Sequence, residues 1–381
     1  MVLRRAPAPA VPAAHGERPA PAPRGREVGA GLPRCSYTDP GATIHRDMDR
    51  GCERGTVVRK DQQGTLVLPD GAPPSLQAAL RCHVRRGLRE ELARDGRGTV
   101  VVGDRVQFVR VGDGRAGVIE ALEPRRSVLL RRRARDGHRP LITAANVDTI
   151  AVVVAARDPE WKPGFVDRVL CAAELSEIAP LVVLNKIDLL EPAERRALEE
   201  LLERDYRAIG IPALLTSTVT GEGIDALRER VRGRITLVSG PSGAGKSSLL
   251  NALGLEAAEQ RTAAVSARTR KGRHTTTSAV LLPLREGGFV VDTPGVRAFG
   301  FYDLQPGDLD VLFREIRAVA YDSSGSGGEA RRRCRFADCL HREEPGCAVR
   351  EAVAEGRISP RRFASYLRIL ESLEQEAPPG P

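Results

Sequence analysis

Short apolar runs separated by turn residues occupy residues 51–124 and predict β-strands there. The expected strands cover residues 56–58, 64–68, 99–102, 106–109 and 117–121. Asp-Gly and Gly-Asp pairs between the runs are typical of turns. About five strands in so short a segment predict a small closed barrel, and the OB-fold is the common five-stranded form. We therefore expect an N-terminal OB-fold β-barrel over residues 51–124.

From residue 144 the apolar runs become longer and alternate with segments of helical periodicity. This pattern is typical of an α/β domain with a buried parallel sheet. Strands are expected at 147–154, 180–184, 235–238 and 288–291, and helices at 165–178 and from residue 248. We assign this domain to residues 144–321. The sequence thus predicts a multidomain α/β protein.

A helical C-terminal domain is expected over residues 322–381. Helical patterns cover residues 348–355 and 360–374 within it. The second expected helix carries Arg361, Arg362 and Arg368, which we place on a polar, basic face.

Two further segments lack large apolar side chains or are dominated by charge. Residues 1–50 are rich in Ala, Pro, Gly and Arg, which predicts a disordered tail. A transit peptide is a weaker alternative, because the prolines oppose an amphipathic helix. Residues 125–143 form an arginine-rich linker that is either a solvated surface or a contact for phosphate groups.

A glycine-rich segment between the expected strand at 235–238 and the following helix predicts a nucleotide site. Its residues are Gly240, Pro241, Ser242, Gly243, Ala244, Gly245, Lys246, Ser247 and Ser248. In such a phosphate loop, successive backbone N–H groups point at phosphate oxygens. Lys246 is expected to reach the β- and γ-phosphates, where it also serves catalysis, and Ser247 to bind Mg²⁺. The chain is therefore predicted to bind a nucleoside triphosphate.

A second pattern, Asn185, Lys186 and Asp188, follows the expected strand at 180–184. Ligands of open α/β sheets bind at the carboxyl ends of strands. The Asp188 carboxylate can accept N1–H and the 2-amino group of guanine, which adenine does not offer. The Lys186 stem can lie against the base, and Asn185 can connect neighbouring loops. Beside a phosphate loop this pattern predicts GTP as the ligand, and Ser217 is a further candidate contact for the base edge.

Switch-like segments follow the phosphate loop. Thr276 is expected to complete the Mg²⁺ shell and sense the γ-phosphate. Asp292 would hold Mg²⁺ through water, and the Gly295 N–H would meet the γ-phosphate. In ordinary small GTPases the phosphate loop precedes the guanine pattern, whereas here Asp188 precedes Gly240. The domain is therefore predicted to be circularly permuted, which a fold tolerates when its original termini lie close together.

A cluster of metal-binding residue types occupies the start of the C-terminal domain. It consists of Cys334, Cys339, His341 and Cys347. Three thiolates and one imidazole complete a tetrahedral shell without an open position, which indicates one structural Zn²⁺.

Composition restricts the partners and the compartment. The formal net charge is +9, which favours an anionic partner such as nucleic acid. No apolar run approaches the roughly 20 residues of a membrane span. There are seven cysteines and no secretory signal, so we expect a cytoplasmic protein that does not contact membranes and whose clustered cysteines bind metal.

Residues 52–375 resemble the ribosome small-subunit-dependent GTPase A family, RsgA. The resemblance rests on the barrel, the permuted motif order, the segment from Gly272 to Thr277 and the Cys-Cys-His-Cys cluster. It implies a cytoplasmic, monomeric GTPase that acts late in 30S maturation, contacts 16S rRNA and is stimulated by the 30S subunit. Val296 stands where small GTPases commonly carry a water-orienting Gln, so slow intrinsic hydrolysis is expected. The family's proposed substitute maps onto His274, which either orients the water or only positions the switch.

Two other functions are compatible with these motifs. One is a nucleotide-gated RNA-binding module whose hydrolysis is incidental. The other is an ATP-using kinase, which Asp188 disfavours because it selects guanine. We also hypothesise that the nucleotide state sets the relative orientation of two RNA-facing domains, with the barrel joined to the guanine half and the zinc module to the switch.

Overall fold

The computed structural model describes residues 51–95, 98–131, 141–255, 279–292, 304–322 and 331–376. The tail at residues 1–50 and the central part of the arginine-rich linker, residues 132–140, lie outside the described residues.

The first described domain is a five-stranded barrel with one helix. Its elements are β1 (Cys52–Asp61), β2 (Gly64–Pro69), β3 (Leu80–Val84), α1 (Arg86–Arg94), β4 (Arg105–Val111) and β5 (Ala116–Leu122). The strands pair in the order β1-β2-β3-β5-β4, and an additional β1–β4 pairing closes the barrel. All pairings are antiparallel except β3–β5, which is parallel. The predicted OB-like barrel is confirmed.

One of the predicted barrel strands was wrong and another was missed. Residues 99–102 form no strand of the barrel, although Val100 and Val102 are buried. The Asp104 carboxylate accepts a hydrogen bond from the Val101 N–H at 2.7 Å, so the chain turns here before β4 begins. The third strand is instead Leu80–Val84, in which Cys82 faces the barrel core and His83 faces solvent.

A two-stranded sheet follows the barrel, built from β6 (Val128–Arg131) and β7 (Leu141–Ala145). Arg125, at the start of the expected basic linker, is neither solvated nor free to contact phosphate. Its side chain is buried and its Nε and Nη2 donate to the Asp104 carboxylate at 2.7 and 2.8 Å. The guanidinium therefore anchors the linker to the barrel.

The second domain is a mostly parallel sheet with helices. Its strands are β8 (Thr149–Ala155), β9 (Ala179–Asn185), β10 (Ala213–Leu215), β11 (Ile235–Ser239), β12 (Val280–Pro283) and β13 (Phe289–Asp292). They are ordered β10-β9-β8-β11-β13-β12, with only β12 antiparallel to its neighbour β13. The helices are α2 (Pro163–Leu175), α3 (Pro192–Asp205), α4 (Ile224–Val231) and α5 (Lys246–Ala252). Every residue of β8 is buried, as expected for a strand covered on both faces.

The barrel and the nucleotide-binding sheet are joined by backbone pairing. Strand β12 pairs antiparallel with β1, with Val280 opposite Arg59, so the two sheets form one continuous sheet of 11 strands. Barrel residues Val58 and Leu68 share a hydrophobic core with Ile150 of β8. The barrel is thus attached through β1 to β12, which precedes the expected switch residue Asp292. It is also connected along the chain to the half of the domain that contains Asn185 and Asp188.

The C-terminal region contains short elements around the cysteine cluster. They are a 3-10 helix (Pro306–Leu312), α6 (Arg314–Ala320), β14 (Tyr321–Asp322), β15 (Arg331–Arg332), α7 (Ala348–Ala354) and α8 (Pro360–Glu376). Leu309, Phe313 and Ile316 pack in one core with Cys334 and Cys347. The segment before residue 322 therefore packs with the cysteine cluster, and Cys171 of α2 belongs to the same core.

The basic face expected on the last helix was wrong for two of its three arginines. The side chains of Arg361 and Arg362 are 19% and 3% exposed, and both contact Asp167 of α2. Arg361 also pairs with Asp205 of α3, at 2.5 Å. The C-terminal module is therefore fastened to the helices that flank the guanine pattern, whereas chain order alone suggested an attachment to the switch.

No helix in the described parts of the chain combines the length and the apolar composition that a bilayer crossing requires.

Candidate functional site

The predicted phosphate loop lies between β11 and α5, at the carboxyl edge of the sheet. Residues 240–245 form the loop, and Lys246 is the first residue of α5. Because β8, β9 and β13 run parallel to β11 or to its neighbours, their carboxyl ends reach the same edge. This edge is where ligands bind in open α/β sheets.

Two glycines of the loop are required by close contacts. A Cβ at Gly240 would lie 1.9 Å from the Val153 carbonyl oxygen. A Cβ at Gly245 would lie 2.2 Å from Nδ2 of Asn185, and Gly245 has a φ of +86°, which side chains rarely adopt. Any larger residue at either position would push the loop away from the sheet edge.

The Lys246 ammonium folds back over the loop. Its Nζ donates to the carbonyl oxygens of Gly240 and Pro241 at 2.8 and 2.6 Å. These bonds hold the charge over the loop where phosphate oxygens are expected. Ser247 and Ser248, on the first turn of α5, are exposed, so the predicted Mg²⁺ ligand Ser247 faces the open side of the site.

Asn185 connects three loops of the site. Its Nδ2 donates to the Ala244 carbonyl at 3.0 Å, and its Oδ1 accepts from the Thr216 hydroxyl at 3.2 Å. Asn185 is 1% exposed and terminates β9. The buried amide therefore joins the guanine pattern to the phosphate loop and to the loop after β10.

The exposed Asp188 is oriented by Ser217. Ser217 is fully buried, and its hydroxyl donates to Oδ1 of Asp188. The Ser217 hydroxyl oxygen in turn accepts the N–H groups of Val219 and Thr220 at 3.1 and 3.2 Å. The structure thus places the Ser217 hydroxyl behind the carboxylate, where it fixes the direction of the group expected to accept from guanine.

Lys186 is held by the loop that follows β8. Its Nζ donates to the carbonyl oxygen of Asp158, and its backbone is left-handed, with a φ of 63°. From the same loop, Arg157 donates to the Leu189 carbonyl at 3.0 Å and pairs with Glu194. The loop after β8 therefore supports the guanine pattern.

Four predicted residues of the nucleotide site remain, and the structure describes one of them. Asp292 ends β13 and lies opposite Val280 of β12, at the same sheet edge as the phosphate loop. His274, Thr276 and Gly295 lie outside the described residues.

The four predicted zinc ligands come together in the C-terminal module. Nδ1 of His341 lies 3.6, 3.5 and 3.3 Å from the Sγ atoms of Cys334, Cys339 and Cys347. All four donor atoms lie within 4.8 Å of one another, and all four residues are buried. The six cysteines that the structure describes are free of disulfides.

This donor set fits a tetrahedral Zn²⁺. With ligand bonds of about 2.0–2.3 Å, neighbouring donors of such a site lie about 3.5–3.8 Å apart, close to the observed nitrogen–sulfur separations. Burial and the neighbouring thiols raise the pKa of Cys339 to about 12, and burial raises the pKa of Cys347. Without a cation, these thiols hold their protons, so a metal ion must displace them on binding.

Several residues of both sites carry no recognisable sequence signal. Thr216 and Asp158 act through one hydroxyl and one backbone carbonyl, which no spacing pattern marks. Asp310 lies 3.2 Å from Nε2 of His341, although 31 positions separate the two residues. Only the fold brings this buried carboxylate beside the cysteine cluster.

Comparisons with known proteins agree with this arrangement. The family model described as RsgA GTPase matches residues 122–302. A curated relative from Bacteroides fragilis, "Small ribosomal subunit biogenesis GTPase RsgA", is 40% identical over 276 residues, covering 72% of this chain and 84% of the relative.

Two solved structures share the fold. The crystal structure of YjeQ from Thermotoga maritima is 31% identical, with a TM-score of 0.63, covering 85% of this chain and 99% of that one. The crystal structure of YloQ, described as a circularly permuted GTPase, is 26% identical, also with a TM-score of 0.63, covering 88% of this chain and 100% of that one. The circular permutation predicted from the order of the motifs is supported by this likeness.

Proposed function

This chain belongs to the RsgA GTPase family, whose members are GTP hydrolases, and we propose that it acts in late maturation of the 30S ribosomal subunit. In this role it hydrolyses GTP to GDP and phosphate and is stimulated by the small subunit. The B. fragilis relative is named for small ribosomal subunit biogenesis, which supports the choice of partner.

The observation that supports GTP as the substrate is the bond from Asn185 Nδ2 to the Ala244 carbonyl, at 3.0 Å. It places the guanine pattern and the phosphate loop at one edge of one sheet, despite their reversed order in the chain. A ligand that spans both must have a guanine at one end and phosphates at the other. GTP meets this requirement.

The proposed roles follow from these positions. Asp188 accepts from the guanine edge, with Ser217 behind it, and the Lys186 stem lies against the base. The loop residues from Gly240 to Ser248 surround the phosphates, and Lys246 offsets charge on the β- and γ-phosphates. Ser247, Thr276 and Asp292 would hold Mg²⁺, which neutralises phosphate charge when bound, and the Gly295 N–H would meet the γ-phosphate.

Hydrolysis needs a group that orients the attacking water. Val296 cannot do so, since its side chain has no hydrogen-bonding atom. We assign the orientation of this water to His274 and expect the bound subunit to bring its imidazole to the water. Slow turnover by the free protein and fast turnover on the subunit follow from this dependence on the subunit.

The proposed contacts with 16S rRNA rest on charge and on the two flanking domains. The net charge of +9 attracts a polyanion, and OB-like barrels commonly bind oligonucleotides. The protein is expected to act as a monomer with one Zn²⁺ in the Cys-Cys-His-Cys cluster.

The decisive experiment measures GTP turnover with 30S, 50S or 70S particles across a series of salt concentrations. We expect stimulation by 30S subunits that weakens as salt rises, because the entropy gained when counterions leave neutralised phosphates falls as the salt concentration increases. Turnover that is the same with and without 30S subunits would overturn the proposal.

The alternative is a nucleotide-gated RNA-binding module. It predicts that GTP and GDP change the affinity for 30S subunits while bound subunits leave turnover unaltered. Measuring subunit affinity and turnover on the same samples separates the two functions.

A further inference from the structure

The two ring nitrogens of His341 face different groups, the cysteine sulfurs on one side and a carboxylate on the other. Nδ1 points at the three cysteine sulfurs, at 3.3 to 3.6 Å. Nε2 lies 3.2 Å from Oδ2 of Asp310, on the 3-10 helix Pro306–Leu312. His341 and Asp310 are 0% and 2% exposed, so water does not compete for this contact.

A histidine that binds a metal must present an unprotonated nitrogen to it. A neutral imidazole has one N–H, and the hydrogen bond made by one nitrogen decides which of the two carries the proton. A carboxylate beside Nε2 accepts an N–H there and leaves the lone pair of Nδ1 for a cation. Such carboxylate–histidine–metal arrangements also make the imidazole a stronger donor.

We propose that Asp310 is the positioning residue of the zinc centre, and that it holds His341 in the tautomer whose Nδ1 binds the metal. The inference rests on the proposed Zn²⁺ in the Cys-Cys-His-Cys cluster. Asp310 does not touch the metal and acts only through the imidazole.

Asp310 is itself held by a second side chain. The Tyr321 hydroxyl lies 3.2 and 3.0 Å from the two carboxylate oxygens of Asp310 and donates to the carboxylate. Asp310 precedes α6 and Tyr321 directly follows it, so this one helix sets the separation of the two residues. The packing of Phe313 and Ile316 with the cysteines fixes α6 against the cluster.

This arrangement ties the metal centre to a distant part of the chain. The four ligands fall between residues 334 and 347, whereas Asp310 belongs to the segment that follows the expected switch. The strength of metal binding therefore depends on the packing of residues 306–321, in addition to the ligands themselves.

The test uses the full-length, zinc-loaded protein and compares Asp310→Ala with Asp308→Ala. Asp308 is the matched control, because it lies on the same 3-10 helix and is only partly buried. Zinc affinity is measured at fixed pH by competition with a chromophoric chelator. We expect Asp310→Ala to lose about 10- to 100-fold in affinity, the range for removal of such partners, and Asp308→Ala to match the wild type.

A second readout separates metal positioning from a merely structural contact. In fully loaded, cobalt-substituted protein, the d–d absorption bands should shift in Asp310→Ala, since the imidazole becomes a weaker donor. Tyr321→Phe should give a smaller loss of zinc affinity than Asp310→Ala. If Asp310→Ala proves insoluble, the same two measurements are made on Asp310→Asn, which keeps the shape but offers only a neutral acceptor, so a smaller loss of zinc affinity and a smaller band shift are expected.

Failure of the Asp310 inference and failure of the zinc assignment give different results. Wild-type zinc affinity and unshifted cobalt bands in the Asp310 variant would overturn the inference. A wild-type protein that contains no stoichiometric zinc would instead remove the zinc centre itself.

Discussion

Arg362 and Asp167 form a buried ion pair, with Nη1 of the guanidinium 2.7 Å from Oδ1 of the carboxylate, across 195 positions of sequence. The same guanidinium binds the two carboxylate oxygens of Glu315 at 2.7 and 3.1 Å and lies over the Phe313 ring. Burial alone would lower the pKa of Arg362, but the charges of Asp167 and Glu315 outweigh it and raise the pKa. One arginine of α8 thus connects α6 and α2.

Replacing this arginine should detach the C-terminal module. Arg362→Met leaves Glu315 buried without its counterion and Asp167 with Arg361 alone, and breaking a buried pair costs about 3–5 kcal/mol. We expect a lower thermal midpoint and faster proteolysis of the C-terminal module. Arg357→Met is the control, because Arg357 pairs with Glu355 at the surface and its loss should cost less than about 0.5 kcal/mol. Equal stability of the two variants would contradict the role of Arg362 as a buried link between α8, α6 and α2.

The glycine at position 245 should be required for nucleotide binding. In Gly245→Ala, the added Cβ meets the Asn185 amide at 2.2 Å and the residue must keep a positive φ. The link between the phosphate loop and the guanine pattern is then lost. Calorimetric titration with GDP and a non-hydrolysable GTP analogue should detect no binding, as it should for Lys246→Ala.

Gly164→Ala provides a matched control for this change. Gly164 lies in α2 with open space around it, so the methyl group should stabilise the helix by about 0.4–1 kcal/mol and leave nucleotide affinity unaltered. Wild-type affinity in Gly245→Ala would show that the loop tolerates the added carbon and would refute the assignment of this contact.

Base selection should depend on Asp188 and, more weakly, on Ser217. Asp188→Asn exchanges an acceptor for a donor and should shift preference from GTP towards xanthosine triphosphate. Ser217→Ala removes one hydrogen bond to the carboxylate, so guanine nucleotide affinity should fall about fivefold, the equivalent of about 1 kcal/mol. Competition between labelled GDP and each triphosphate measures both effects. An unaltered preference for GTP in Asp188→Asn would argue against the base contact.

Stimulated turnover should depend on His274. At saturating 30S subunits, His274→Ala should lower turnover by roughly 100-fold, as for loss of a group that handles the attacking water, with GTP affinity unaltered. Turnover equal to that of the wild type, with normal GTP binding, would remove His274 from catalysis and leave it as a residue that only positions the switch.

The sequence predicted the parts of the fold that have strong local patterns. The buried runs that became β8, β9 and β11 have long apolar stretches, and the phosphate loop and cysteine cluster have fixed spacings. Strand β3 was missed because it is only five residues long, although Leu80, Cys82 and Val84 alternate with the polar Arg81 and His83. Residues 99–102 were misassigned because an apolar run that packs on a core does not have to pair with a strand.

Long-range charge pairing could not be predicted. Arg361 and Arg362 stand on a helix whose pattern alone suggests a solvated basic face. Their partners Asp167 and Asp205 lie on α2 and α3, more than 150 positions earlier. Only the folded arrangement shows that these charges neutralise one another inside the molecule, and the same holds for Arg125 and Asp104.

The permuted order has a consequence for how the chain is made. Synthesis proceeds from the N-terminus, so β8, β9 and β10 leave the ribosome before β11, which lies between β8 and β13 in the finished sheet. Until β11 arrives, β8 is an open edge whose side chains are apolar from Ile150 onward, the kind of edge that invites association with other chains. The strand that covers this edge is also the one that leads into the phosphate loop. A nascent chain therefore acquires its ability to hold phosphate only after this apolar edge has been closed.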